Sequence, residues 1–170
     1  MSTCLELAPV DGDHNNTELL HHDERKFEDL SQREKRSLIF HLLYASESFD
    51  NQTSLESIVD NFNRGFDLDI PIESAVVSTS QYVIDLRDSL DEAYKPLLSN
   101  WRFDRLGVCT KLILRHALWE LLYTDTLPTI IINEAIELAK CFAEKDAYKF
   151  INGVLDKAVT QFVAQKTEQQ

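Results

Sequence analysis

The chain has 170 residues, a net charge of −12, and only four glycines and four prolines. Turn residues this scarce disfavour an all-β chain. The acidic balance argues against a generic polyanion binder, because bulk electrostatics drives non-specific nucleic-acid binding.

An apolar fraction of 44% suffices for a core. Cys4, Cys109 and Cys141 are widely spaced with no CxxC, which argues against zinc and for reduced thiols in a cytoplasmic protein. The N-terminus has no apolar leader region. No uncharged apolar run reaches the roughly 18 residues a membrane-spanning helix needs, so no membrane association is expected.

Residues 1–30 hold eight acids against Arg25 and Lys26, half the net charge of the whole chain. Their composition predicts an acidic flexible tail, with a short helix around 18–30, that the fold does not need. Ser31 followed by Glu34 is a capping box, and it opens a helix running to about Ser46. Leu55, Ile58, Val59 and Phe62 fall at helical spacing and predict a helix over 55–63. Pro71 suits the first turn of the next helix, which carries Ile72, Ala75, Val76, Thr79, Val83 and Leu86 on one face. A short helix over 90–98 precedes a linker around residues 100–105. The most apolar helix follows, over 104–123, and its nearly complete apolar circumference predicts burial. Two further helices carry Ile132, Ala135, Ile136 and Ala139, and then Ile151, Val154, Leu155, Ala158 and Phe162. The expectation is an all-α fold of about seven helices. They form two packed, three-helix-like subdomains, 31–99 and 100–170, divided near Asn100. The Asn152-Gly153 pair, ordinarily a turn signal, lies inside the last apolar rhythm.

Catalytic signatures are missing: the chain holds no GxSxG, Walker loop, HExxH or GxGxxG. His14, His21 and His22 lie in the tail, where nothing fixes a geometry. His41 and His116 read as packing histidines. No enzyme activity, cofactor or metal is expected. Gln32-Arg33-Glu34-Lys35-Arg36 is the densest basic cluster on a helix. Cations there oppose the helix dipole, a cost that phosphate contacts would offset, so Arg33, Lys35 and Arg36 read either as a solvated helix N-terminus or as candidate nucleic-acid contacts.

The segment Asn133-Glu134-Ala135-Ile136-Glu137-Leu138-Ala139-Lys140, then Asp146, Lys149-Phe150 and Asn152-Gly153-Val154-Leu155-Asp156-Lys157, resembles the C-terminal signature of the NusB family of transcription antitermination factors. Trp101, Arg105-Leu106, Leu114-Arg115 and Leu118-Trp119-Glu120-Leu121 resemble a second family pattern. Arg36 and Leu42-Leu43-Tyr44 resemble its first helix. The resemblance spans roughly residues 31–159. It implies an all-α, non-enzymatic, cytoplasmic protein acting in ribosomal RNA synthesis. Such a protein pairs with NusE, a ribosomal protein of the small subunit. The two bind single-stranded boxA RNA and join the antitermination complex on RNA polymerase.

The resemblance further implies RNA-facing roles for Arg115, Asp146, Lys149 and Phe150 beside the three cations of the first helix, together forming one strip. For Phe150, base stacking and a core role stand as alternatives. The resemblance implies partner contacts at Tyr44 and Asp104, whereas Thr110 stands where the family carries a partner-contacting acid. The family's arginine run is thinned here to three cations around one acid, which implies weaker intrinsic RNA binding. Two other readings follow: a protein-interaction module with weakened RNA binding, and the RNA-binding domain of an rRNA cytosine methyltransferase. Monomer and homodimer are both compatible with the sequence.

Overall fold

A computed structural model describes residues 26–99 and 101–163. The capping box forms as the sequence predicts. The Ser31 hydroxyl accepts from the Glu34 amide, and the Ser31 amide donates to the Glu34 carboxylate at 2.9 Å. These reciprocal bonds satisfy amides that the first helical turn leaves without partners. They start α1, Gln32–Ser48. The packed chain begins slightly earlier, because Leu30 is only 4% exposed behind a 3-10 turn at Phe27–Asp29. Of the short helix expected around 18–30, the described end is this 3-10 turn, and residues 1–25 lie outside the described residues, as does Asn100.

Ser54 and Ser74 cap α2, Leu55–Phe66, and α3, Ala75–Asp85. Pro71 does not enter the first turn of α3. Its carbonyl instead accepts from the Ser74 amide at 3.0 Å, closing a separate turn. Ser74 then accepts from the Val77 amide, and that cap fixes where α3 begins. Helix α4, Arg87–Tyr94, follows directly.

The apolar helix α5 is Val108–Tyr123, starting later than residue 104 because Phe103–Arg105 forms its own 3-10 turn. Helix α6, Pro128–Phe142, takes its proline in the first turn. Helix α7, Ala147–Ala158, runs into a π turn at Val159–Val163. The described residues thus form seven α-helices and contain no strand.

Helix α5 is the axis of the molecule. Its buried positions lie nearly all round its circumference, with Leu114 fully enclosed. Helix α1 packs on α2 and α3 and also on α5 and α6, while α4 leans on α5. One continuous core therefore takes residues from all seven helices. Burial of Ile151, Val154, Leu155 and Ala158 keeps α7 helical through Asn152 and Gly153, and Asn152 donates to the Asp156 carboxylate one turn on. Cys109 is a free thiol, its pKa pushed up by burial. Cys141 is disulfide-bonded, which departs from the expectation of reduced thiols throughout.

No helix among the described residues is long and apolar enough to cross a membrane. Nor do three His, Cys, Asp or Glu side chains among them converge on a point that could hold a metal ion.

Candidate nucleic-acid interface

The cations expected on one strip divide into two kinds. Three are arginines already held by carboxylates of other helices. Arg33 on α1 forms a two-pronged bond to Glu134 on α6, with Nη2 2.7 Å from Oε1. Arg36, one turn on, does the same to Glu120 on α5, with Nη2 again 2.7 Å from Oε1. Arg115 on α5 sets Nε and Nη2 each 2.8 Å from the two oxygens of Asp91 on α4. Its Nη1 reaches Glu47 on α1 at 3.1 Å. Planar guanidinium forks matched to carboxylates are the strong, directional form of ion pair. These three fasten α1 to α6, α1 to α5, and α5 to α4. Arg115 is 7% exposed and faces its two carboxylates, so it does not join an exposed strip.

Electrostatics fit this picture. Burial works against the charges of Arg36 and Arg115, but the bonds to Glu120 and Asp91 outweigh it and hold both pKa values above the ordinary arginine value. Arg33 is likewise raised, chiefly by its bond to Glu134. Burial beside Asp91 pushes the Tyr94 phenol up.

His116, 3% exposed, lies 3.8 Å from the Glu120 carboxylate, but burial and the Arg36 charge depress its pKa below 6.5. The neutral ring makes no ion pair with Glu120. Below the unfolded-state pKa of about 6.5, the unfolded chain takes up a proton at this site that the folded chain refuses. That part of the stability is present above this pH and is lost as pH falls through it. Urea midpoints should therefore drop between pH 8 and pH 5.5, and His116→Gln should show a shallower drop. An unchanged slope in the variant would remove His116 from the explanation.

The second kind of cation is exposed. Lys149, in the first turn of α7, is 65% exposed at its side chain, with Nζ 2.8 Å from Asp146 Oδ1. Asp146 occupies the N-cap position in a left-handed backbone conformation, φ 67°. Its side chain holds Lys149 rather than capping the helix, and that bond raises the Lys149 pKa. Lys140 and Lys149 both approach the Tyr148 ring, at 5.8 and 5.6 Å from its centroid. Lys35 differs from these two in being half-buried, with its Nζ 5.6 Å from the Phe27 ring.

Phe150 is half-buried against the core, and its ring centroid stands 5.0 Å from that of Trp101. Nearby in sequence, Lys95 and Lys111 lie over the Phe103 ring at 4.6 and 4.7 Å. The structure thus joins Asp146, Lys149 and Phe150 at the start of α7. Arg33 and Arg36 sit at the start of α1, and the charge of Arg33 acts on Glu137, the carboxylate that binds Lys140. The Arg33 partner, Glu134, sits eight residues before the end of α6, about 12 Å along its axis.

Of the expected partner contacts, Tyr44 is exposed and stacked over Phe40, centroids 6.3 Å apart. Asp104 is exposed, and its bond to Arg102, 2.7 Å, lowers its pKa. Thr110 is buried, and its hydroxyl donates to Glu144 at 2.9 Å. A carboxylate therefore stands beside position 110 after all, supplied by the loop between α6 and α7. It also sits over the α5 N-terminus, where a Cβ on Gly107 would come within 1.5 Å of Glu144 Oε1. The pattern reading did not mark Trp101, Lys140 or Tyr148 as site residues. The available signal was the interleaving of aromatic and basic residues in Trp101-Arg102-Phe103 and Tyr148-Lys149-Phe150.

Comparison with known proteins agrees with this architecture. The model of the NusB family matches residues 33–160. A transcription antitermination protein NusB of Staphylococcus haemolyticus is 39% identical over 128 residues, covering 74% of this chain and 97% of that protein. Its counterpart in Macrococcus caseolyticus is 34% identical over 134 residues, covering 76% and 97%. The solved structure of T. maritima NusB superposes with a TM-score of 0.69 at 25% identity, covering 83% of this chain and 99% of that one. Matched along most of its length in both sequence and helical architecture, the chain belongs to the NusB family.

Proposed function

We propose that this protein is a cytoplasmic, non-enzymatic transcription antitermination factor. In this reading it binds the boxA element of ribosomal RNA leaders together with NusE and joins the antitermination complex on RNA polymerase. The observation that carries the reading is the exposed cluster of lysines and aromatic rings at the start of α7, on a chain of net charge −12. Lysines there can meet phosphates while a ring meets a base, the two contacts single-stranded RNA offers. The relatives described above are named as antitermination proteins, which supports this reading over the methyltransferase-domain alternative.

A titration of boxA RNA with and without NusE tests it. Lys35→Ala and Lys149→Ala should each weaken binding at low salt and reduce the salt slope by about 0.7. Neither should shift the thermal midpoint appreciably, since Lys149 is bound only in an exposed pair and Lys35 rests on one ring.

The protein-interaction reading has an observation of its own. Arg33, Arg36 and Arg115 are already paired within the molecule. If both lysine variants bind boxA with NusE as the wild type does, that reading replaces the first.

A further inference from the structure

Trp101 is 57% exposed, although it is one of only two tryptophans in the chain. Single exposed rings are ordinary on a protein surface, so exposure alone assigns this one no role. This ring is held in place. Helix α7 grips the segment before α5 at two points seven residues apart. Lys157 Nζ donates to the Leu97 carbonyl at 3.1 Å and to the Ser99 hydroxyl, while Phe150 leans on Trp101 at 48° between ring planes. Residues seven apart lie on the same side of a helix, two turns along. The grip is therefore one face of one rigid element. Phe150 is itself half-buried and packed on the core, so it supports one side of the indole and much of the rest stays open.

The surrounding charge points to a nucleic acid. Lys149 adjoins Phe150, and Arg102 adjoins Trp101. Each is bound to a neighbouring carboxylate, Asp146 or Asp104, in a pair whose four side chains are all more than half exposed. Exposed pairs of this kind contribute little to stability, so a phosphate can displace the carboxylate at little cost. The buried forks of Arg36 and Arg115 cannot be exchanged so cheaply.

We propose that Trp101 is the base-stacking ring of the RNA face, that Phe150 is the positioning residue that fixes it, and that Lys149 and Arg102 take the flanking phosphates. The inference rests on the RNA-binding reading above and specifies where a base goes. It selects single-stranded RNA, because a base within a duplex already has both faces covered. In this inference Phe150 takes the core role of the two left open and braces Trp101 from there.

The test uses the full chain with NusE and a short single-stranded boxA oligonucleotide. In a Trp119→Phe background Trp101 is the sole tryptophan, and a matched Trp119→Phe/Trp101→Phe protein supplies the blank. RNA should quench the Trp101 emission. Trp101→Ala should lower RNA affinity roughly 5- to 150-fold with an unchanged salt slope and an unchanged thermal midpoint. Trp101→Phe should retain most of the affinity. Phe150→Leu, which keeps apolar bulk, should weaken binding less than Trp101→Ala.

Wild-type affinity in Trp101→Ala, alongside weakened binding in Lys149→Ala, would overturn the stacking role and leave the RNA reading standing. Failure of the unmodified protein to bind boxA, with or without NusE, would overturn both. Loss of NusE binding in Trp101→Ala without RNA present would make this ring a protein contact and overturn the inference.

Discussion

Arg115→Ala should destabilise the protein by about 3–5 kcal/mol, the usual penalty for removing one partner of a buried ion pair. The guanidinium fills both oxygens of Asp91 and reaches Glu47, linking α5 to α4 and α1 at the centre of the molecule. Its loss leaves Asp91, itself buried, without its two-pronged donor, while the partly exposed Glu47 recovers water. For a chain of this size the loss corresponds to a thermal midpoint roughly 6–20 °C lower. Asp91→Leu combined with Arg115→Met should recover much of the deficit, because an apolar pair avoids the desolvation that the ion pair carries. RNA affinity measured well below the midpoint should stay close to that of the wild type. A variant that keeps its midpoint but loses RNA would return Arg115 to the RNA surface.

Phe40→Ala should cost about as much, roughly 3–5 kcal/mol, as a buried phenyl truncation does. Phe40 is 4% exposed and stands at the seam between α1 and α6. Its ring stacks on Phe142 at 4.6 Å and 15°, and it underlies Tyr44 on its own helix. The truncation opens a cavity between α1 and α6 and removes the support of an exposed ring expected to meet the partner. Urea unfolding should show the full loss. Phe40→Leu should retain most of the stability while weakening NusE binding, because leucine fills volume without presenting a flat face to Tyr44. Equal NusE affinity in Phe40→Leu and wild type would detach Tyr44 from that interface.

The sequence disclosed whatever is local. Ser31 and Glu34 are three residues apart, so the start of α1 was readable. The apolar circumference of α5 announced its burial. Pro71 misled because the fixed φ of proline suits both a helix start and a turn, and the stronger signal was Ser74, whose cap sets the boundary. Lys149 and Phe150 came from the resemblance to the family rather than from local spacing, and Tyr148 between Ala147 and Lys149 went unmarked.

The partners of the arginines were not visible. Arg33 meets an acid 101 residues away and Arg36 one 84 residues away, and no periodicity within a helix carries that information. A cation read without its partner looks available to phosphate. The pairing of Trp101 with Phe150 is hidden in the same way, since it depends on how α7 lies against the segment before α5.

The same separations bear on the order in which the protein is made. Helix α1 leaves the ribosome 84–101 residues ahead of Glu120 and Glu134. At 5–20 residues per second that is a delay of roughly 4–20 s. During it Arg33 and Arg36 are without the carboxylates that hold them in the folded protein, close to the polyanionic surface of the ribosome itself. The acids already synthesised by then include the eight of the first thirty residues.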